Sequence, residues 1–457
     1  MSKQSVVNAV GRLERLPVTP YTYLILALVG IGFTVETMDT TFTGLISDIL
    51  RTDWHLSLGE VGLLGSSGPI GYLFGAGIGG GLSDKFGRRN VFLWTLVGLS
   101  IFSALRALTP HGDWPLLGFL TAVSWFFSGA ETAVGTIYMN ELAPTAKRGR
   151  LTGWATGSYA FGLVLGTALS LTLPYVGWRG LLLYTGVTAL TGAIFRPFLP
   201  ESPRWLEAKG LYDKAEKSLE KLESATLKYV GTLPPASIIE VQPQKQVPFF
   251  LLFSNQFRKR TIMSWIAFFG QTAAYYGFYT WIYVLLSLKG YTIEHSIVVV
   301  LIAYILGALP GNMIAPRLAD TRLGRKRTVY IYLVGGALSA VGLAFAPSAI
   351  YVAVFLTLFV GFLNGAYPSI YLYVAEQYPT LARNTGLGSA SAFSRIGAIL
   401  MPIVFASLYP IGGFAGVFLL AGIMMAMGGA VIFAFGTESR GVLLEKLSEK
   451  DVSIKGP

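Results

Sequence analysis

The sequence predicts an all-α membrane protein of twelve transmembrane helices in two pseudo-symmetric six-helix bundles, and three observations carry that prediction. First, 53% of the 457 residues are hydrophobic and only 13% charged, with a mean hydropathy of +0.57, whereas soluble domains carry about 25% charged residues. Second, apolar runs long enough to cross a bilayer as helix, roughly 20 residues, recur along the whole chain. Third, a charged hairpin occurs twice. Gly81-Leu82-Ser83-Asp84-Lys85-Phe86-Gly87-Arg88-Arg89 lies between two apolar runs, and Leu318-Ala319-Asp320-Thr321-Arg322-Leu323-Gly324-Arg325-Lys326 repeats it with one residue inserted.

In chain order the spans are expected near 21–48, 59–82, 90–109, 114–140, 151–175, 179–199, 260–288, 296–318, 328–346, 350–375, 386–408 and 413–436. The longer ones must tilt or project from the bilayer. Cationic residues favour the cytoplasmic side. With both termini in the cytoplasm, 29 of the 35 Lys and Arg fall inside, and Arg51, Arg106, Arg179 and Lys289 fall in outside loops. Arg196 and Arg395 fall within spans. The net charge of +11 is thus a matter of topology and implies no nucleic acid.

Within the first hairpin, Phe86-Gly87 permits a sharp turn, because glycine tolerates positive φ. The repeat extends further. Glu141-Leu142-Ala143-Pro144 with Arg148 answers Glu376-Gln377-Tyr378-Pro379 with Arg383; Asp84 to Glu141 is 57 residues and Asp320 to Glu376 is 56. Residues 1–200 and 260–436 are accordingly read as the two bundles. Such repeats place a substrate site between the halves near the midplane. The polar insert 201–259 is a cytoplasmic loop. Its stretch 203–224 alternates Lys and Glu around Leu206, Leu211, Leu219 and Leu222, an amphipathic helical pattern, and Pro234, Pro235, Pro243 and Pro248 make a linker. Residues 437–457 form a cytoplasmic tail.

The absence of cysteine removes disulfides, thiol catalysis and cysteine-ligated metals, and three histidines give little basis for a metal site. No cleavable signal peptide is evident, since residues 1–20 are polar. Gly75, Gly77 and Gly79-Gly80-Gly81 lie in an apolar run and read as helix packing rather than a phosphate cradle. With no nucleotide loop or nucleophile triad, no cofactor is expected and the protein is not read as an enzyme. Any transport would be driven by a gradient.

The hairpin resembles the signature of the major facilitator superfamily, and the resemblance covers nearly the whole chain. Pro200-Glu201-Ser202-Pro203-Arg204-Trp205-Leu206 resembles the sugar-porter motif after the sixth helix. Gly436-Thr437-Glu438-Ser439-Arg440-Gly441 with Leu443-Leu444-Glu445 is similar to that group's C-terminal motif. Glu36-Thr37-Met38-Asp39 resembles the acidic pair of the branch that carries aromatic acids, nicotinate and other organic anions with protons. The seventh span, from Gln271 through Tyr275-Tyr276-Gly277 to Trp281, is closer to that branch than to the double-glutamine pattern of sugar porters. The resemblance implies a proton-coupled symporter of a small aromatic or heterocyclic acid anion working by alternating access; a monomer is expected, and the short outside loops and lack of an organellar signal favour a bacterial inner membrane. The nearest rival is a sugar or polyol transporter; a non-transporting sensor that keeps the fold is the other.

A charge inside a bilayer costs from about 2.5 kcal/mol upward, so intramembrane ionisable residues are the candidates for chemistry. Glu36 and Asp39 share a helix face; mutual repulsion and desolvation both favour reversible protonation. They read as proton-coupling groups, with Asp39 the matched family position, or as a structural polar pair. Glu131 resembles a glutamate of the branch and reads as a third functional acid or as a packing hydrogen bond. Thr121 stands where many relatives place an arginine, which weakens the case for a proton relay along that helix. Arg395 presents a fork that fits a carboxylate, or a salt bridge to Glu36 or Asp39. Tyr275 and Tyr279, one turn apart with Tyr276 beside them, form an expected aromatic wall with polar tips in a span that also offers Gln271, with Asn364, Tyr367 and Tyr371 similar in the tenth span. Trp281 and Tyr283 fit an interfacial belt better. By superfamily analogy Asp84, Arg88, Arg89, Glu141 and Arg148, with Asp320, Arg325, Glu376 and Arg383, are expected to form cytoplasmic latches in which Asp84 meets a positive helix N-terminus, or to set the topology alone.

Overall fold

The computed structural model describes residues 7–144, 148–237 and 248–439, without the side chains of 148–150, 152–156 and 380–381. A short helix α1 (Ala9–Glu14) precedes six long ones: α2 (Pro20–Asp53), α3 (Leu58–Phe86), α4 (Arg88–Ala107), α5 (Trp114–Leu142), α6 (Arg148–Ser170) and α7 (Leu173–Phe195). The polar insert forms α8 (Pro203–Ala208) and α9 (Tyr212–Val230), the latter where the alternation of Lys, Glu and Leu predicts an amphipathic helix. Then follow α10 (Arg258–Leu288), α11 (Ile293–Ala303), α12 (Leu309–Asp320), α13 (Arg325–Ala344), α14 (Ala349–Glu376) and α15 (Thr380–Phe435).

Among the described residues, nine helical segments are long and apolar enough to cross a membrane. Helix α6 adds a tenth crossing, α10 an eleventh, and α15, at 56 residues, is long enough for two. Gly413, with φ 56° and ψ −158°, breaks α15 into its two legs. Helices α11 and α12 are one crossing joined by a π-turn at Tyr304–Ala308, where Pro310 cannot supply the next helical N–H. These helices are consistent with the expected count of twelve, with most ends displaced by a few residues.

Helix α10 is too polar to stand out by hydropathy, and its surroundings explain why. Nearly every residue from Gly270 to Leu286 is buried. With little lipid contact to satisfy, it carries Gln271 and four tyrosines. Trp281 is fully buried and donates to the Pro402 carbonyl at 3.0 Å, and Tyr283 is 1% exposed. Neither belongs to an interfacial belt, contrary to expectation.

The chain divides into two compact units: Met1–Asp39, Ile70–Gly162 and Val176–Pro243 form one, and Thr40–Pro69, Leu163–Tyr175 and Gln244–Pro457 the other. The division cuts through α2, α3, α6 and α7. In the second unit the far ends of α2 and α3 pack on α10 and α15. A Cβ on Gly44 would overlap the Tyr279 carbonyl, one on Gly62 would meet the Pro402 carbonyl at 2.9 Å, and Ser66 donates to the Ile399 carbonyl at 2.6 Å.

In the first unit, small residues let α3 and α5 touch along their backbones. A Cβ on Gly71 or Gly75 would overlap the carbonyls of Ala122 or Phe126, and one on Gly79 would come within 2.7 Å of Ala130 Cα. This stripe at every fourth position is the close-packing device of membrane helices. Gly77 and Gly81, by contrast, face open space. Gly75→Leu is therefore expected to abolish folded protein while Gly77→Ala is tolerated, as read by size-exclusion of a fluorescent fusion.

Helix α1 is strapped to α9 by charge. Arg12 pairs with Glu216 at 2.6 Å and Glu223 at 2.8 Å, and Arg15 with Glu223 at 2.6 Å. Ala9 N donates to Glu207, and Arg204 meets Glu14 at 3.1 Å. Burial works to raise the Glu223 pKa, but hydrogen bonds from Arg12 and Arg15 outweigh it and hold the carboxyl below its ordinary value. A carboxyl depressed in the folded state stabilises above its unfolded pKa, near 4.3, and loses that contribution as pH falls through the folded value. Arg12→Ala is expected to raise proteolytic cleavage at 7–20 at neutral pH. Acidification below about pH 4 is expected to do the same in the unaltered protein.

Candidate functional site

Each hairpin is built the same way. Gly87 and Gly324 take φ of 93° and 81°, left-handed turns that suit glycine. In the first unit Arg88 reaches Asp84 at 2.7 Å and Glu141 at 2.7 Å. In the second, Arg325 pairs with Glu376 and lies 3.6 Å from Asp320. The N-terminus of α4 is met by Glu201, which accepts from the Arg88 and Arg89 amides at 3.0 and 3.2 Å. Glu438 accepts from the Arg325 and Lys326 amides at 2.9 and 3.2 Å. The glutamates of the two resembling motifs, at 200–206 and 436–441, are thus one device used twice: an anion on a positive helix end. Asp84 is instead a side-chain partner of Arg88. The Arg148 side chain and residues 440–457 lie outside the described residues, and Arg383 stands in the first turn of α15.

Three acids lie inside the first unit. Asp39 and Arg106 are each 2% exposed. Arg106 Nη1 donates to both Asp39 oxygens at 2.8 Å, Trp125 Nε1 donates to Oδ2 at 2.7 Å, and Thr185 lies at 3.4 Å. Arg106, expected in an outside loop, is a buried counter-ion in the last turn of α4. Glu131 pairs with Arg196 at 2.5 Å and accepts from Thr95. The Arg196 guanidinium lies 3.4 Å from the Phe92 ring centroid. Two guanidinium nitrogens of Arg196, Nε and Nη1, have no hydrogen-bond partner among the described residues. Glu36 is half-buried and accepts from Thr132 at 2.5 Å and Tyr159 at 3.4 Å. Glu36 and Asp39, three residues apart, therefore enter separate hydrogen-bond sets, and the nearest charge on Asp39 is a cation rather than the other carboxylate. Thr121 is buried and bonds Leu117 within its own helix; the buried cations come from α4 and from the turn after α7.

The second unit gathers the aromatic residues. Tyr275 lies 4.3 Å from Tyr279, 5.4 Å from Tyr276 and 6.5 Å from Tyr367 between ring centroids, and Tyr367 lies 4.9 Å from Tyr371. Arg395 Nη1 donates to Tyr276 OH at 2.8 Å, so a tyrosine hydroxyl steadies the guanidinium. Burial sorts these residues. Gln271, Tyr279 and Asn364 are all but fully buried; Asn364 donates to Tyr279 OH at 2.9 Å and to the Val360 carbonyl at 2.9 Å. They form a supporting layer. Tyr275, Tyr367, Tyr371 and Arg395 are half-buried and form the accessible face. Tyr371 also meets Ser391 at 3.0 Å, and buried Tyr304 lies behind Tyr279 at 5.6 Å.

A twelve-crossing α-helical chain with a repeated charged hairpin and buried ion pairs has the build of a membrane transporter. The Major Facilitator Superfamily model matches residues 28–371 and 294–455, and the chain belongs to that family. It is 33% identical over 446 residues to the niacin transporter NiaP of Acinetobacter baylyi, covering 96% of this chain and 100% of the relative. It is 30% identical over 427 residues to the putative niacin/nicotinamide transporter NiaP of Bacillus subtilis, covering 92% and 97%. Among solved structures, the inward open conformation of the xylose transporter XylE from E. coli matches with a TM-score of 0.75 at 20% identity, covering 94% of this chain and 100% of that one. The protein is a multi-pass secondary transporter with a small-molecule substrate.

Proposed function

We propose that the protein carries a small aromatic or heterocyclic acid anion, of the nicotinate kind, together with protons. The observation that supports this reading most is the placement of half-buried Arg395 beside the tyrosine face of Tyr275, Tyr276, Tyr367 and Tyr371. A planar ring can lie against tyrosine faces, while a guanidinium fork takes its carboxylate. The niacin transporters among the relatives point the same way. In this proposal Asp39, held by Arg106, and Glu36, held by Thr132, exchange the coupled proton, and Glu131 with Arg196 fixes the first six helices. Residues 1–200 and 260–436 act as the moving halves, joined by 201–259 and followed by the tail 437–457. The hairpin sets around Arg88 and Arg325 latch the cytoplasmic side. The protein works as a monomer in an inner membrane with both termini in the cytoplasm.

Proteoliposomes given labelled nicotinate, benzoate and hexoses under an imposed proton gradient test the reading. Uptake of an aromatic acid, abolished by a protonophore, is expected. Hexose uptake without acid uptake would establish the sugar reading, and binding without flux the sensor reading.

A further inference from the structure

The first unit carries a cavity of about 450 Å³ that transport of an organic acid does not use. It opens beside the first hairpin, where α4 begins and α9 crosses. Arg89, Lys214, Lys217 and Lys221 line it together with Phe86 and Trp205. The three lysines recur at intervals of three and four residues, so one face of α9 presents them as a stripe, and all three are exposed. Lys221 is steadied by a hydrogen bond to the Phe198 carbonyl at 2.9 Å. One acid, Glu201, also lines the cavity. Its carboxylate is occupied by the amides of Arg88, Arg89 and Ser202, and burial pushes its pKa up from the ordinary value despite those bonds. Those amides offset part of its charge, and four cations, Arg89, Lys214, Lys217 and Lys221, outnumber it in the lining.

Exposed aromatic rings flank this cavity, in the pairs Phe86–Trp94 and Phe195–Phe198. Phe86, Trp94, Phe195 and Phe198 are 40%, 49%, 49% and 66% exposed, as expected of aromatic anchors at headgroup depth. The same construction recurs in the second unit. A cavity of about 750 Å³ there is lined by Arg322, Lys326, Arg327, Tyr330 and Phe433 beside Glu438.

We propose that the cavity of Arg89, Lys214, Lys217 and Lys221 binds the phosphate group of an anionic phospholipid, whose acyl chains lie along the exposed aromatic surface of α4 and the turn after α7. A basic cavity at the membrane surface is a recognised form of headgroup site. Phosphate oxygens would be met by ammonium groups on one side and a guanidinium on the other. The aromatic flank selects a lipid over a free phosphate ion, which would gain nothing from it.

Native mass spectrometry of the full-length protein titrated with phosphatidylglycerol or phosphatidylcholine tests the site. The unaltered protein is expected to retain phosphatidylglycerol in preference to phosphatidylcholine. The triple variant Lys214→Gln, Lys217→Gln, Lys221→Gln is expected to lose about tenfold or more in that retention, since each surface lysine contributes materially to anionic-lipid attraction. The charge-matched triple Lys209→Gln, Lys228→Gln, Lys259→Gln, outside this cavity, is expected to behave as the unaltered protein. The single variant Lys217→Glu repeats the test with least disturbance to α9. Equal retention by all proteins, or equal loss in both triples, would overturn the proposal. Displacement of phosphatidylglycerol by millimolar inorganic phosphate, with phosphate alone raising the melting temperature, would assign the site to a free anion and overturn the lipid source.

Discussion

Arg395→Lys is expected to raise the KM for a carboxylate substrate by roughly 10- to 150-fold, the range that follows from losing about 1.5–3 kcal/mol of charged hydrogen bonding. Lysine keeps the charge but presents a point donor where arginine presents a planar fork. Its single nitrogen would also have to serve both Tyr276 OH, 2.8 Å from Nη1 in the native arrangement, and the carboxylate, a task the guanidinium divides among several nitrogens. Arg395→Ala should fall at the upper end of the range. Tyr276→Phe, which removes only the hydroxyl that steadies the guanidinium, should fall below it. Selectivity supplies the sharper readout: the amide analogue of the same ring has no carboxylate to lose, so its binding should change little. Uptake by Arg395→Ala with an unaltered KM for the acid would remove the basis for an anion site at this residue.

How far the sequence revealed this arrangement depended on the kind of signal. Long apolar runs and the two hairpins marked the crossings, because both are local patterns that the bilayer enforces. The reversal between the last two crossings was legible too, since the expected spans stop at 408 and resume at 413, where Gly413 breaks α15. The partners of the acids were not legible. Arg106 stands one residue from the end of α4, where a cation ordinarily reaches solvent. Only the third dimension brings Asp39 beneath it, 67 residues away in sequence. Arg196 carried a usable signal, being a cation inside an apolar span, yet no spacing rule connects it to Glu131. The likeness of Glu201 and Glu438 was likewise readable as two motifs but not as two helix caps, because each reaches back more than 110 residues to its amides. Trp281 and Tyr283 misled for a different reason. Aromatic residues near a span end suit an interface, but α10 is enclosed by other helices along this stretch and the same residues become core.

Asp39→Asn is expected to have two separable effects, and the pair it breaks shows why. Arg106 is 2% exposed and directs both close bonds of Nη1 at Asp39. Removing one partner of a buried ion pair costs about 3–5 kcal/mol, because the remaining charge is left uncompensated. The melting temperature of Asp39→Asn should therefore fall. Asparagine can still accept from Trp125 Nε1, so the local shape is retained. The double variant Asp39→Asn, Arg106→Gln replaces the ion pair with two amides that can bond each other, and should recover much of the lost stability. It should not recover accumulation of substrate against its gradient, since neither amide can take up and release a proton in the working pH range. Substrate counterflow, which needs binding and reorientation but no net proton movement, should persist in the double variant. Glu36→Gln isolates the alternative: Glu36 is half-buried and bonded to Thr132 and Tyr159, so its neutralisation should disturb stability less than that of Asp39. Loss of accumulation in Glu36→Gln alone would place the transported proton there. Protonophore-sensitive accumulation by Asp39→Asn would leave the Asp39–Arg106 pair as a structural clasp.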